Sequence, residues 1–426
     1  MLFCQETFTK TLLQQKNPSI IRGTAISKNA ALLLVLFFLT ASCLAVKPAF
    51  SSAEVAEDFW VSKEPMPSTL NYPKATMLNG KIYVVGAHYG ENVNNSLFEY
   101  DPVTDNWAVR KSMPSSRLYF AVAACNNKIY VIGGGLNPQE SYAPDALSTN
   151  EVYDPVTDTW ETKASMPTAR WGLVAEMVND KIYVISGRTG GGKTSVKVNE
   201  VYDPNTDSWT NASSIPTPVC GPASAVVDNR IYVIGGQAEF NDPMNPGLNQ
   251  IYDPETDTWV QGAKEPNPAW SAAAAGATTG AMAPKMIYVM GGVPGFAPPL
   301  DQNYAYNPKE DRWIIAASLP APKSSFAVAV VNDLVYVIGG STVNYGVITA
   351  SVEQYTPIGY ETSDSSTLPT PSPTPSPSPI PSQEPTSTPE TKQIEPFPTA
   401  LVAVASVTTV AVVSVGLLVY FKKRKR

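Results

Sequence analysis

Six short apolar runs recur along the chain: IYVVGA (82–87), IYVIGG (129–134), IYVISG (182–187), IYVIGG (231–236), IYVMGG (287–292) and VYVIGG (335–340). Each is β-branched and aromatic and most close on glycine, the signature of a buried strand with a sharp exit. An alternating apolar run precedes each, such as LYFAVAAC (118–125) and SSFAVAVV (324–331). Between the two lie Asn79-Gly80, Asn127, Asn179-Asp180, Asp228-Asn229 and Asn332-Asp333, residues suited to tight hairpins. The fifth pair departs, because AAAAGATTGAMAPK (272–285) lengthens its hairpin.

A second pattern shares the period. YDPVTDNW (100–107), YDPVTDTW (153–160), YDPNTDSW (202–209), YDPETDTW (252–259) and YNPKEDRW (306–313) keep one tyrosine-to-tryptophan interval. Each tryptophan stands seven residues before a proline, from Trp107 and Pro114 to Trp313 and Pro320. Trp60 and Pro67 obey the same rule without a preceding Tyr-Asp-Pro. The spacing predicts strand three ending at the tyrosine and strand four carrying the tryptophan. Asp154 and Asp158 in VYDPVTDTW could suggest a cation site. Asp-Pro is turn chemistry, however, and a calcium loop needs about six oxygens and a glycine bend.

A unit of about 50 residues with four strands, paired glycines and spaced tyrosine and tryptophan resembles the kelch repeat. The resemblance covers residues 58–356. It implies an all-β fold, a six-bladed kelch-type β-propeller over residues 54–360. The sixth unit ends at SVEQYT (351–356) without a tryptophan strand, and DFWVSK (58–63) would supply it. The ring is therefore expected to close through an N-terminal strand in the last blade.

Two further apolar segments flank the repeats. AALLLVLFFLTASCLAV (30–46) follows four spaced basic residues, so 1–53 reads as a signal peptide or signal anchor. TALVAVASVTTVAVVSVGLLVYF (399–421) is uncharged and long enough for a transmembrane helix, and basic residues 422–426 follow it as a cytoplasmic tail. Residues 361–398 are rich in Pro, Ser and Thr and predict an extended, disordered stalk. Thirty residues of it could reach roughly 90 Å at the polyproline rise. Tail and stalk resemble those of prokaryotic cell-surface proteins, archaeal ones among them. The expected localisation is a single-pass cell membrane protein with the propeller outside.

Charge sharpens this picture. Residues 54–421 hold 20 Lys and Arg against 36 Asp and Glu, a net −16, which excludes a nucleic-acid footprint. Cys125 and Cys220 are not spaced as a disulfide framework or zinc site and read as small buried residues. No cofactor or metal is expected, since the chain's single histidine, His88, cannot build a multi-histidine centre. GRTGGGKT (187–194) fits the phosphate-loop spacing, but it joins antiparallel strands rather than opening a helix.

Strand direction gathers the long, unequal loops on one face, where function concentrates on repeat scaffolds. Strand one begins there. Three residues after the recurring proline the units read Leu70, Arg117, Arg170, Val219, Ala269 and Lys323; the next position reads Asn71, Leu118, Trp171, Cys220, Trp270 and Ser324. Arg117, Arg170, Lys323, Trp171, Trp270, Tyr119 and His88 are the candidate binding residues. Their chemistry suits an anionic or sugar-like ligand. Alternatively the arginines pair with carboxylates of neighbouring blades. Asn94 and Asn211 head glycosylation tripeptides.

The expectation is a monomeric surface module binding a glycan or a protein. A structural envelope protein is another reading. The resemblance also implies an enzymatic alternative, because some exported six-bladed kelch proteins act as sialic acid mutarotases. Glu176, inside the third unit's first strand, is then the candidate acid, an outward-facing solvated position being the plainer reading.

Overall fold

The structure is a computed structural model that describes residues 57–86, 95–136, 145–190, 194–239, 247–269, 274–294, 298–342 and 347–361. His88, Asn94, Trp270, the N-terminal signal, the stalk and the C-terminal apolar segment lie outside the described residues. Among the described residues no helix is long and apolar enough to cross a membrane.

Six four-stranded antiparallel sheets form the blades. Blade one is β2 (Lys74–Leu78), β3 (Lys81–Val85), β4 (Leu97–Asp101) and β5 (Asn106–Arg110). Blade two is β6 (Ala121–Cys125), β7 (Lys128–Ile132), β10 (Asn150–Asp154) and β11 (Thr159–Lys163). A small hairpin of β8 (Gly135–Leu136) and β9 (Asp145–Ala146) stands in its long loop. Blade three is β12 (Val174–Val178), β13 (Lys181–Ile185), β14 (Asn199–Asp203) and β15 (Ser208–Asn211). Blade four is β16 (Ala223–Val227), β17 (Arg230–Ile234), β18 (Asn249–Asp253) and β19 (Thr258–Gly262). Blade five is β20 (Ala274–Ala277), β21 (Ile287–Met290), β22 (Asn303–Asn307) and β23 (Arg312–Ile315). The sixth sheet runs β1 (Phe59–Lys63), β26 (Val352–Thr356), β25 (Leu334–Ile338) and β24 (Ala327–Val331). In it Trp60 lies opposite Tyr355 and Lys63 opposite Val352.

Local chemistry explains the hairpins. Asn79-Gly80, Asn126-Asn127, Asn179-Asp180, Asp228-Asn229 and Asn332-Asp333 all have positive φ at both positions. That is the mirror-image turn that matches strand twist, and Asn, Asp and Gly tolerate it best. The fifth blade's insertion is anchored instead: the Asp333 carboxylate accepts N–H bonds from Thr279, Met282 and Ala283.

The apolar side chains assemble into six clusters, each at one boundary between blades. Tyr100 and Phe98 of blade one meet Tyr336 and Val352 of blade six; Tyr202 of blade three meets Tyr130 of blade two. The core is thus a ring of interfaces rather than one centre. Cys125 is a buried free thiol in one of these clusters and Cys220 is a buried free thiol outside them, and burial pushes the pKa of both up to about 11.

The YDPxTDxW motif acts as a turn and also as a clasp. Asp154 Oδ1 accepts the Val156 N–H at 2.9 Å, so the first Asp stabilises its own turn. Asp158, at φ 52°, accepts the Tyr153 hydroxyl at 2.7 Å and the Lys111 N–H at 2.9 Å. Trp160 Nε1 donates to the Lys111 carbonyl at 2.7 Å. One residue just past the preceding blade's outer strand is thus gripped by both of its backbone groups. The same pair of contacts holds Glu64, Ala164, Ser213 and Ala263. Ala317 is held by Asp58 and Trp60.

These aspartates set a pH dependence. The Tyr153 hydroxyl and Lys111 N–H hold Asp158 below the ordinary aspartate value of 3.8, and equivalent donors do so for Asp207 and Asp257. A carboxylate depressed by folding contributes stability above its unfolded pKa and loses it as pH falls through the folded value. The thermal midpoint should therefore drop between about pH 4 and pH 2. Asp158→Ala should cost about 2 kcal/mol at neutral pH and make the acid limb shallower. Thermal melts across pH check both.

Candidate functional site

The loop face is marked by bridges that prolong the first two strands of a blade beyond the glycines. Leu118 pairs with Gly135, Trp171 with Arg188, Cys220 with Gln237 and Ser324 with Ser341. Immediately after these positions the chain passes through Tyr119, Gly172, Gly221 and Ser325, and in blade one through Tyr72 after Asn71, all with positive φ. Backbone bonds link successive blades there: Tyr72 N to Ser325 O, Gly172 N to Tyr119 O, and Gly221 N to Gly172 O, at 2.7–2.8 Å.

That conformation suits glycine and costs a side-chain-bearing residue about 1 kcal/mol or more. Blades three and four use Gly172 and Gly221, and the added Cβ at Gly172 would lie 2.3 Å from Cys220 Sγ. Blades one and two use tyrosine. Tyr72 and Tyr119 meet edge to face at 4.9 Å between ring centres, and Tyr119 meets Trp171 at 5.6 Å. The Arg188 guanidinium lies 5.6 Å from the Trp171 ring centre. The tyrosines are half-buried, whereas Trp171 is buried. Among the described residues the Trp171 indole N–H, Asn71 Oδ1 and the Ser324 and Ser325 hydroxyls have no hydrogen-bond partner. Buried polar atoms are usually satisfied, and among the described residues such atoms also occur within the blades, at Asn199 Oδ1 and Asn303 Oδ1.

The three cations expected beside the aromatics are placed otherwise. Arg117 and Arg170 are 0% exposed and Lys323 is 2% exposed. Arg117 pairs with Glu151 at 3.0 Å and Arg170 with Glu200 at 2.8 Å, while Lys323 bonds Glu353 and the Ser351 hydroxyl. The carboxylates come from the third strand of the same blade, not from a neighbour. Arg170 also donates to the carbonyls of Ser186 and Val198. Burial pulls both arginines down to about 10, which leaves them fully charged at neutral pH. A ligand reaching these cations would first have to break a buried pair. Asn211 is exposed at the end of β15.

A sequence signal for these pairs exists. The carboxylates Glu151, Glu200 and Glu353 occupy one position of strand three, two residues before its tyrosine. Blades without the cation lack the acid: Leu70 goes with Phe98, Val219 with Gln250, and Ala269 with Tyr304.

Glu176 does not face bulk solvent, contrary to the plainer expectation. The first strands of the blades surround a central channel of about 360 Å³, and Glu176 lines it with Lys74, Thr76 and Ser224. Ser224 Oγ donates to Glu176 at 2.6 Å. Burial pushes Glu176 up to about 7 against the pull of Ser224 and Lys74, and burial lowers Lys74. Lys74 escaped sequence reasoning. Its register mates Ala121, Val174, Ala223 and Ala327 would have marked it as a lone charge in an apolar row.

The segment containing GRTGGGKT links β13 to β14, which pair antiparallel, and no helix follows it. Arg188 within it pairs with Trp171 and Ser195.

Comparison with known proteins agrees with this architecture. A family model described as the KLHDC2/KLHL20/DRC7 Kelch-repeats domain matches residues 50–187 and 119–340, and a Kelch motif model matches 322–361. Kelch-like protein 36 of Bos taurus is 24% identical over 150 residues, 34% of this chain and 23% of that protein. Kelch-like protein 28 of Homo sapiens is 40% identical over 62 residues, 15% of this chain and 11% of that protein. An F-box/kelch-repeat protein of Arabidopsis thaliana is 47% identical over 45 residues, 11% of this chain and 12% of that one. The chain thus spans less than a quarter of the length of these relatives. The structure of YjhT superposes with a TM-score of 0.58 at 17% identity, covering 68% of this chain and 95% of that one, a likeness of fold. With the family model spanning most of the propeller and six blades built on the same clasp, the chain belongs to the kelch-repeat family.

Proposed function

We propose that the chain is a cell-surface interaction module that binds a protein partner across its loop face. In this reading residues 1–53 direct export, 361–398 form the stalk, 399–421 span the membrane and 422–426 remain in the cytoplasm. The ring is closed by its N-terminal strand.

The aromatic arc of Tyr72, Tyr119 and Trp171 carries the reading. Two tyrosines occupy backbone positions where glycine serves blades three and four, so their side chains are retained at a conformational cost. Strain of that kind concentrates at functional sites. Half-buried tyrosines beside an arginine-capped tryptophan match the anchors that dominate protein interfaces. The flat faces of the same aromatic arc favour a glycan as the second reading.

Tyr72→Gly and Tyr119→Gly test the reading, because glycine suits the backbone there. A screen of surface proteins and glycans against the full-length chain would first identify the ligand. Each variant should then bind at least 10-fold more weakly, about 1.4 kcal/mol, with a melting temperature within a few degrees of the parent. Unchanged affinity in both variants would reject the arc as the binding surface.

A further inference from the structure

The channel holds a second feature that the loop-face reading does not use. Its walls are mostly small and apolar, with Val122, Ala124, Val226, Val328 and Val330 among them. Two charged side chains line it, Lys74 from blade one and Glu176 from blade three. They are not within ion-pair distance of each other, and the acid's hydrogen bond comes from Ser224. Both side chains are partly buried, and an opposite pair that is desolvated in part yet not joined bears that cost without the full Coulomb return.

The fold does not require either charge. The residues in register with Lys74 are Ala121, Val174, Ala223 and Ala327, and those in register with Glu176 are Thr76, Ala123, Ala225 and Ala329. Apolar or small residues therefore build the same strand in the other blades. The two charges are additions to a scaffold that is complete without them.

We infer that the channel binds a small zwitterion of the amino-acid class, with its carboxylate on the Lys74 ammonium and its ammonium on the Glu176 carboxylate. A ligand with one charge would satisfy one wall and leave the other unpaired, which is costly in a low-dielectric enclosure. A zwitterion satisfies both with no change in net charge. Its apolar side chain would rest against the valine and alanine walls. Burial lifts Glu176 and lowers Lys74, so a bridging ligand would favour the ionised form of each.

Isothermal titration of the full-length chain with glycine, leucine and γ-aminobutyrate tests this. At least one should bind saturably, and for leucine the single-charge analogues isocaproate and isoamylamine should bind at least 10-fold more weakly. Glu176→Gln and Lys74→Met should each weaken binding at least 10-fold. Both should keep the parent's circular dichroism spectrum, as the sister blades imply. Lys74→Arg should retain binding. Absence of saturable binding by all three zwitterions would overturn the inference. So would binding unchanged in both Glu176→Gln and Lys74→Met, or equal affinity for a zwitterion and its single-charge analogue. The loop-face variants Tyr72→Gly and Tyr119→Gly read a separate property, so either proposal can fail alone.

Discussion

A chain lacking residues 58–67 should lose the cooperative thermal transition of the propeller. The segment does three things at once. As β1 it covers the edge of β26, pairing from Phe59 opposite Thr356 to Lys63 opposite Val352. Asp58 accepts the Tyr355 hydroxyl at 2.8 Å and the Ala317 N–H at 2.6 Å, and Trp60 donates to the Ala317 carbonyl at 3.0 Å. These contacts replace the missing Tyr-to-Trp motif of the sixth unit with residues nearly 300 positions away, and they tie blade six to blade five. Beyond β1, Glu64 is gripped by Asp105 and Trp107 of blade one, and Met66 enters the cluster between blades six and one. Deletion would open both boundaries of one blade and expose a strand edge, which invites association between chains. Trp60→Ala alone should cost about 2–4 kcal/mol, since the ring packs on Tyr355 at 5.0 Å. Calorimetry of the truncated chain, alone and with a synthetic peptide of residues 57–67, separates loss of this strand from general failure to fold. Restored cooperativity with the peptide is the expected result. A truncation melting cooperatively at the parent temperature would show that the ring does not depend on this strand.

The blade plan was legible because its signals are local. Buried second strands end in glycine, positive-φ hairpins need Asn, Asp or Gly, and one tyrosine-to-tryptophan interval repeats. The clasp was only half legible. The aspartate could be read as a turn residue, but its partner is the backbone N–H of Lys111, and a backbone group leaves no mark on residue identity. The channel was obscured for a different reason. An inner strand has packed neighbours on both faces and an edge toward the channel, so alternation cannot say which acid is solvated. Glu176 therefore read as outward-facing although it lines the central channel. The loop-face arc was partly visible through Tyr119 and Trp171, yet Tyr72 gained meaning only when its φ of 60° placed it with Gly172 and Gly221.

The cation row illustrates how one row of a repeat misleads when read alone, and it leads to a sharp expectation. Glu200→Ala should destabilise the propeller by about 3–5 kcal/mol, because it strands the fully buried Arg170 charge. Arg170→Leu should also destabilise, since it leaves the buried Glu200 carboxylate without its cation. The double variant Arg170→Leu with Glu200→Phe should recover most of the loss. The chain itself supplies the precedent: blade one holds Leu70 and Phe98 at the corresponding positions, both buried in the same kind of blade interface. Two apolar residues of adequate volume and one hydrogen-bonded ion pair are alternative solutions to the same site, and buried pairs commonly exchange with apolar packing at little net cost. A double-mutant cycle measured by denaturant unfolding gives the coupling energy, expected at about 2–3 kcal/mol. If the cations instead served a ligand at the mouth, the double variant would keep its stability but lose binding of whatever the loop face captures. A structural pair predicts that stability and ligand affinity both return together. Failure of the double variant to recover stability would mean that Arg170 is needed for its bonds to Ser186 and Val198 carbonyls as well as for Glu200. Blade three would then depend on a cation that blade one does without, and the equivalence of the two solutions would fall.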